Sequence, residues 1–224
     1  QIIVNSNYLK LIVSKWGIVS SKINVIYNSF DVPQNTSLKE DLRKKYNQRG
    51  FVFTSVARLV PWKNIDIIIE AFVELLKKYP DSLLNIIDEG PLKEKLRNAV
   101  AKNNIEKNVI FVGRVSHEEL IERLKASDTT ILISSYEGFS HLLLESLSLG
   151  VPVITTPVGG NKEIIIDRQN GMFVPLRDVM ATKVAMEELI SNNELRNILI
   201  EGGISAVKNY SQEQMLEKIS SVLR

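Results

Sequence analysis

Thr129-Thr130-Ile131-Leu132-Ile133-Ser134-Ser135-Tyr136-Glu137-Gly138-Phe139-Ser140-His141-Leu142-Leu143-Leu144-Glu145-Ser146-Leu147-Ser148-Leu149-Gly150-Val151-Pro152-Val153-Ile154-Thr155 is the stretch that decides the fold. A β-branched apolar run of strand length leads into a polar turn with a glycine. An amphipathic stretch over His141 to Leu149 follows, and then a second apolar run. Strand, crossover helix and strand in this order form the βαβ unit of a parallel sheet, and runs apolar at nearly every position suit strands covered on both faces.

The same alternation extends in both directions. The runs Phe51 to Val56, Leu83 to Ile87 and Val109 to Val112 precede the stretch, and a weaker run, Met172 to Val174, follows it. Helical spacing of apolar residues marks Ile65 to Tyr79, Leu92 to Asn103 and His117 to Ala126 between them. The fold class is therefore α/β, a doubly wound parallel sheet of about six strands. Ser116 followed by Glu119 is a capping-box pattern that places His117 in an exposed first helical turn.

Strand (Ile2 to Val4), helix (Tyr8 to Trp16) and strand (Lys22 to Tyr27) make up the first part of the chain, ahead of a linker-like segment from Asn28 to Ser37. Three amphipathic helices close it: Asp178 to Ser191, Glu194 to Asn209 and Gln212 to Leu223. The opening Gln1-Ile2-Ile3-Val4-Asn5 has no initiator Met and no signal-peptide pattern, so the chain reads as part of a longer protein.

Composition narrows the chemistry. The 224 residues carry 28 Lys and Arg against 26 Asp and Glu, a net charge of +2 that leaves no nucleic-acid footprint. With no cysteine and only His117 and His141, disulfides, iron–sulfur clusters, thiol nucleophiles and His-rich metal sites are excluded. No apolar run approaches the ~20 residues of a transmembrane helix.

Open parallel sheets bind ligands where the strands end at their carboxyl side. After the first strand of the main sheet come Arg58 and Lys63, two cations that can close on a diphosphate, one as a fork of donors and one as a point charge. After the second come Asp88, Glu89, Gly90 and Pro91. After the fourth come Gly138, Phe139 and Ser140, whose amides at a helix start suit phosphate or sugar oxygens. Glu137 and Glu145 stand eight residues apart. If helical throughout, that spacing would separate them by about 12 Å, beyond the ~5 to 9.5 Å of a glycosidase pair, so separate roles fit better: Glu145 for a ribose diol, Glu137 for a sugar. After the fifth strand, Gly159 and Gly160 turn into a helix bearing Glu163. Neither Gly-x-Gly-x-x-Gly nor a P-loop occurs, and no Asp-x-Asp is present to hold Mg²⁺.

The ordered set Ala57-Arg58-Leu59-x3-Lys63, Glu89-Gly90-Pro91, Phe111-Val112-Gly113, Glu137-Gly138-Phe139-Ser140 to Glu145-Ser146-Leu147-x2-Gly150-x-Pro152-Val153, Gly159-Gly160-x2-Glu163 and Asn170-Gly171 resembles the retaining glycosyltransferase family 4, glycosyl transferases group 1, of the two-domain GT-B fold. The resemblance runs from about Lys22 to the last helix. It implies a nucleotide-sugar-binding carboxy-terminal domain over residues 37–210, preceded by the tail of an amino-terminal domain and a linker (1–36) and followed by a terminal helix (211–224).

It further implies catalytic roles for Glu137, Arg58 and Lys63, and substrate contacts at Arg58, Lys63, Glu89, Gly113, Glu137, Gly138, Phe139, Ser140, Glu145 and Glu163. Arg58 and Lys63 would grip the donor diphosphate, Glu145 the ribose and Glu137 the sugar, with the turn after Gly113 near the base. No metal and no cofactor is expected, the nucleotide sugar being a substrate. The acceptor, a glycan or lipid-linked sugar, would be held by the amino-terminal domain, at the cytoplasm or the inner membrane face. Taken alone, the chain would bind donor and transfer nothing. Three positions depart from the pattern: Ala57 and Asn64 stand where glycine often flanks the Arg–Lys segment, and Asp88 replaces the first glycine of Gly-x-Gly-Pro. A nucleotide-sugar epimerase of the same fold and a non-catalytic sugar-nucleotide-binding module remain as rivals.

Overall fold

The computed structural model describes residues 1–30 and 37–223. Most of the linker-like segment read at Asn28 to Ser37 lies outside them, together with the 36/37 boundary.

The first unit is small. Strands β1 (Ile2–Val4) and β2 (Ile23–Val25) pair in parallel around helix α1 (Asn7–Lys15), forming a two-stranded sheet of their own. Helix α2 (Lys39–Lys45) then leads into the main sheet. Its strands are β3 (Val52–Val56), β4 (Leu83–Ile87), β5 (Val109–Gly113), β6 (Thr129–Leu132), β7 (Val153–Thr155) and β8 (Met172–Phe173). Between and after them run α3 (Ile65–Leu76), α4 (Lys93–Lys102), α5 (His117–Ala126), α6 (His141–Ser148), α7 (Asn161–Ile164), α8 (Val179–Ser191), α9 (Asn193–Val207) and α10 (Gln212–Leu223).

All pairings are parallel and the strand order is β5-β4-β3-β6-β7-β8. Counted within the sheet this is 3-2-1-4-5-6, the doubly wound order whose direction reverses between β3 and β6. Helix α3 packs on α4 and α8 on one face, while α5 packs on α2 and α6, and α6 on α9, on the other. Burial on both faces explains the predominantly apolar runs: Val52, Phe53, Leu84, Ile86, Ile131, Val153 and Ile154 are all buried, as are Ile68, Phe72 and Leu75 of α3.

The sequence-predicted strands sit where expected, with shifts of one or two residues at their ends. Two differences have physical causes. Helix α3 stops at Leu76, short of the predicted Tyr79, and Lys78 and Tyr79 instead close a turn on the carbonyl of Leu75. Helix α2 was not predicted. Only its Leu42 is buried, and Lys39 and Arg43 fasten it by ion pairs to Asp128 at the start of β6. A segment held by charge leaves no apolar period to read.

Candidate active site at the sheet reversal

The reversal between β3 and β6 brings two loops together. After β3, Pro61–Lys63 makes one 3-10 turn, and Asn64 follows in the left-handed region at φ +46°. Asparagine tolerates that conformation better than most residues. Here its buried side chain also ties the loops, donating from Nδ2 to the carbonyl of Ile133 at 2.8 Å and to Ser135 Oγ at 2.9 Å. The Ser135 amide donates back to the carbonyl of Trp62 at 2.8 Å. Asn64 thus does what a glycine would permit and adds a cross-link that a glycine lacks.

That cross-link places Lys63 against Glu137. Lys63 Nζ donates to Glu137 Oε1 at 2.5 Å, and Ser134 Oγ donates to the same oxygen at 2.6 Å. The two charged side chains are 19% and 13% exposed, so the pair is shielded from bulk water. Arg58, two residues past the end of β3 in the same loop as Lys63, is exposed, and among the described residues its guanidinium has neither ion pair nor hydrogen bond. In this loop one cation is held by a carboxylate and the other is unpaired among the described residues.

The loop from Glu137 to Ser140 is pressed against the turn after β7. The Gly160 amide donates to the carbonyl of Glu137 at 3.0 Å. A Cβ on Gly159 would come within 1.9 Å of that carbonyl oxygen, and one on Gly160 within 2.1 Å of the carbonyl oxygen of Gly138. Both positions therefore require glycine. Among the described residues, no acceptor takes the amides of Gly138, Phe139 and Ser140, and the Ser140 side chain makes no capping bond at the start of α6. These amides point a helix start at the site. The Phe139 ring turns the other way, into a cluster with Tyr27 (centroids 5.2 Å) and Tyr210 (5.5 Å).

Glu145 lies one turn into α6, its side chain 10% exposed, with Oε1 3.0 Å from His117 Nε2. Beyond β4, Glu89 accepts from Lys93 Nζ at 2.6 Å and lies close to Gly113, whose φ of +83° and lack of Cβ admit it. Asp88 adopts φ +98°; its Oδ1 accepts from the Glu89 amide at 2.7 Å and sits 3.5 Å from Arg114 Nε. Asp88 and Arg114, with Val56, Ile87, Val115 and Leu120, line an open cavity of about 260 Å³ at the ends of β3, β4 and β5.

Residues 38–206 match the family described as Glycosyl transferases group 1. The chain belongs to this family. An uncharacterized glycosyltransferase of Methanocaldococcus jannaschii is 33% identical over 178 residues, 79% of this chain and 49% of that protein. The Escherichia coli UDP-Gal:alpha-D-GlcNAc-diphosphoundecaprenol alpha-1,3-galactosyltransferase is 32% identical over 166 residues, 70% of this chain and 42% of that protein. The chain spans about half the length of the curated relatives it matches, or less. Among solved structures, Anabaena HepE in complex with UDP superposes with a TM-score of 0.89 at 20% identity, covering 99% of this chain and 62% of that one. The Rossmann-like α/β architecture is thus that of GT-B glycosyltransferases.

Glu163, expected among the substrate contacts, has both its oxygens engaged by the amino-terminal unit. Oε2 accepts from the Asn7 amide (2.9 Å), Asn7 Nδ2 (3.0 Å) and Tyr27 OH (2.9 Å), and Oε1 from the Tyr8 amide (2.8 Å). The carboxylate caps α1, whose first amides carry the positive end of the helix dipole, and so fastens β1, α1 and β2 to the donor loops. Burial first, and Glu163 next, push the Tyr27 phenol up to about 12.

Two residues were missed by sequence reasoning. His117 does cap-start α5 as the Ser116 pattern predicts, with Ser116 Oγ accepting from the Glu119 amide, but its ring reaches across to Glu145. Asn64 registered only as a departure from glycine, although a residue that tolerates positive φ next to Lys63 was the available signal. Among the described residues no helix is long and apolar enough to cross a membrane.

Proposed function

We propose that this chain is the donor-binding part of a retaining, metal-independent hexosyltransferase that takes a nucleoside diphosphate sugar and passes the sugar to a glycan or lipid-linked acceptor. The observation that carries the reading is the Lys63–Glu137 pair at the sheet reversal, in the loop that also carries exposed Arg58. The diphosphate docks between Arg58 and Lys63, with the amides of Gly138 to Ser140 supplying further donors. Glu145 accepts from the ribose, and the cavity lined by Asp88 and Arg114 takes the base.

As the bond between the anomeric carbon and the diphosphate breaks, negative charge grows on the leaving oxygen. Arg58 and Lys63, the latter taken from Glu137 by the bound diphosphate, stabilise that charge as it develops. Glu137, released from Lys63 when the diphosphate takes its place, turns to the hydroxyls of the sugar. In this reading acceptor binding belongs to residues outside the 224, and the chain alone binds donor without transfer because acceptor orientation supplies much of the rate. The complete enzyme works at the cytoplasmic side, peripheral to the membrane where its acceptor is lipid-linked. UDP bound to HepE and the UDP-galactose named for the E. coli relative support a nucleoside diphosphate donor.

Calorimetric titration with UDP, GDP, ADP and their sugar conjugates in EDTA tests the reading. The expected result is binding of one nucleotide, weakened at least about tenfold by Arg58→Ala and further by Arg58→Ala/Lys63→Ala, each tenfold step being ~1.4 kcal/mol. Binding that survives the double substitution, or that requires a divalent metal, would overturn it.

A further inference from the structure

His117 sits in an exposed first helical turn as its sequence pattern predicts, but its ring makes a contact that the pattern does not reveal. Its side chain is 62% exposed, yet two contacts fix the ring: the edge-on Phe30 ring at 6.2 Å between centroids and, opposite in chemistry, Glu145 Oε1 at 3.0 Å from Nε2. The Glu145 carboxylate is nearly closed off from solvent, and among the described residues His117 is the hydrogen-bond partner of its side chain. A buried carboxylate needs donors to offset its lost hydration. An ionised carboxylate only accepts, so the proton of this bond belongs to His117 Nε2.

We propose that His117 is a positioning residue for donor recognition: it holds Glu145 Oε1, fixes the plane of the carboxylate and leaves Oε2 directed at a ribose hydroxyl. The inference rests on the reading of Glu145 as the ribose contact and adds to it the residue that sets its geometry. A carboxylate free to rotate about its last torsion would meet the diol in many orientations, since that torsion is broad. With one oxygen tied, the remaining one offers a fixed acceptor, and hydroxyl recognition sharpens because a donor lacking the hydroxyl leaves a buried acceptor unpaired.

The test compares UDP with 2′-deoxy-UDP and 3′-deoxy-UDP by calorimetry, and likewise the GDP and ADP series, on the wild-type chain and on His117→Phe, His117→Gln and Glu145→Gln. Phenylalanine keeps the ring against Phe30 but removes the donor; glutamine restores an N–H near the Nε2 position. His117→Phe is expected to lower the ribose-over-deoxyribose preference at least fivefold, with affinity for the deoxy nucleotides changed less than twofold, and His117→Gln to restore it. A purely structural role for His117 would weaken all nucleotides alike, which overturns the proposal. If Glu145→Gln abolishes the preference and His117→Phe leaves it intact, the role of His117 fails while that of Glu145 stands. A preference unchanged by Glu145→Gln, or absent from the wild-type chain, overturns both.

Discussion

Lys63 Nζ lies 2.5 Å from Glu137 Oε1, so the cation assigned to the donor diphosphate is already neutralised by the carboxylate assigned to the donor sugar. A diphosphate must compete with Glu137 for Lys63, and the displaced Glu137 is then free for the sugar. Free nucleoside diphosphate, which has no sugar to offer, pays this competition without compensation. Glu137→Gln is therefore expected to tighten UDP, GDP or ADP, whichever binds, by about threefold to tenfold, or ~0.7–1.4 kcal/mol, and to tighten the corresponding nucleotide sugar less. Isothermal titration of both ligands checks this; weaker binding of the bare nucleotide would show that Glu137 does not compete.

Glu163 joins the amino-terminal unit to the donor loops through four donors, and Glu163→Ala should release it. Loss of a helix cap costs about 0.5–2 kcal/mol, so exchange protection at the Asn7 and Tyr8 amides should fall about threefold to thirtyfold, with β3, β4 and β6 unaffected. The same carboxylate predicts a spectroscopic change. Glu163→Gln removes a charge that helps raise both the Tyr27 phenol, held near 12, and the Tyr210 phenol, so ultraviolet titration at the phenolate band should show two tyrosines ionising at lower pH, each still raised because burial remains the larger cause. The sign follows from linkage. A phenol raised in the folded protein stabilises it fully below the unfolded value near 10, and that contribution is lost as pH climbs through about 12.

The sheet and its loops were legible in the sequence because both are written in short-range patterns. Val52 to Val56, Leu83 to Ile87 and Thr129 to Leu132 carry mostly apolar or β-branched residues because nearly all of their positions are buried, and the glycines at 159 and 160 mark backbone approaches that tolerate no Cβ. What escaped were relationships between distant side chains. The His117–Glu145 bond, the four donors on Glu163 and the charge-held helix α2 are set by the packing of α5 on α6, of α1 on the β7 loop and of α2 on α5. No local period encodes them.

A carboxylate at position 88, where the family pattern has glycine, would repel a diphosphate unless it points away. Its Oδ1 accepts from the Glu89 amide and lies 3.5 Å from Arg114 Nε, in the open cavity that Asp88 and Arg114 line. Asp88→Asn should consequently change nucleotide affinity less than threefold, under ~0.7 kcal/mol, at low salt, where an unscreened repulsion would be largest. Asp88→Gly should stabilise the turn, since a non-glycine residue at φ +98° is strained by about 1–2 kcal/mol. A thermal melt of Asp88→Gly above wild type, with Asp88→Asn binding as wild type, is the expected pair of results. A large gain in affinity for Asp88→Asn would restore the repulsive reading.

Gly159 and Gly160 set how closely the β7 turn can approach the loop that carries Glu137. An added methyl on Gly160 would stand 2.1 Å from the carbonyl oxygen of Gly138, a backbone atom that cannot swing aside as a flexible side chain would. Gly160→Ala must therefore push the two loops apart, lengthening the bond from the Gly160 amide to the Glu137 carbonyl and moving Glu137 away from Lys63. Overpacking of this kind costs about 1–3 kcal/mol, which in a chain of this size lowers the melting temperature by roughly 2–12 °C. Gly171→Ala serves as the comparison, because its methyl would meet the Val153 and Ile165 side chains, which can yield, rather than the site loop. Gly160→Ala should lose nucleotide affinity more than tenfold, beyond ~1.4 kcal/mol, while Gly171→Ala lowers the melting temperature and leaves affinity within threefold. Equal affinities for the two variants would mean that the approach of the loops does not set the geometry of the Glu137 site.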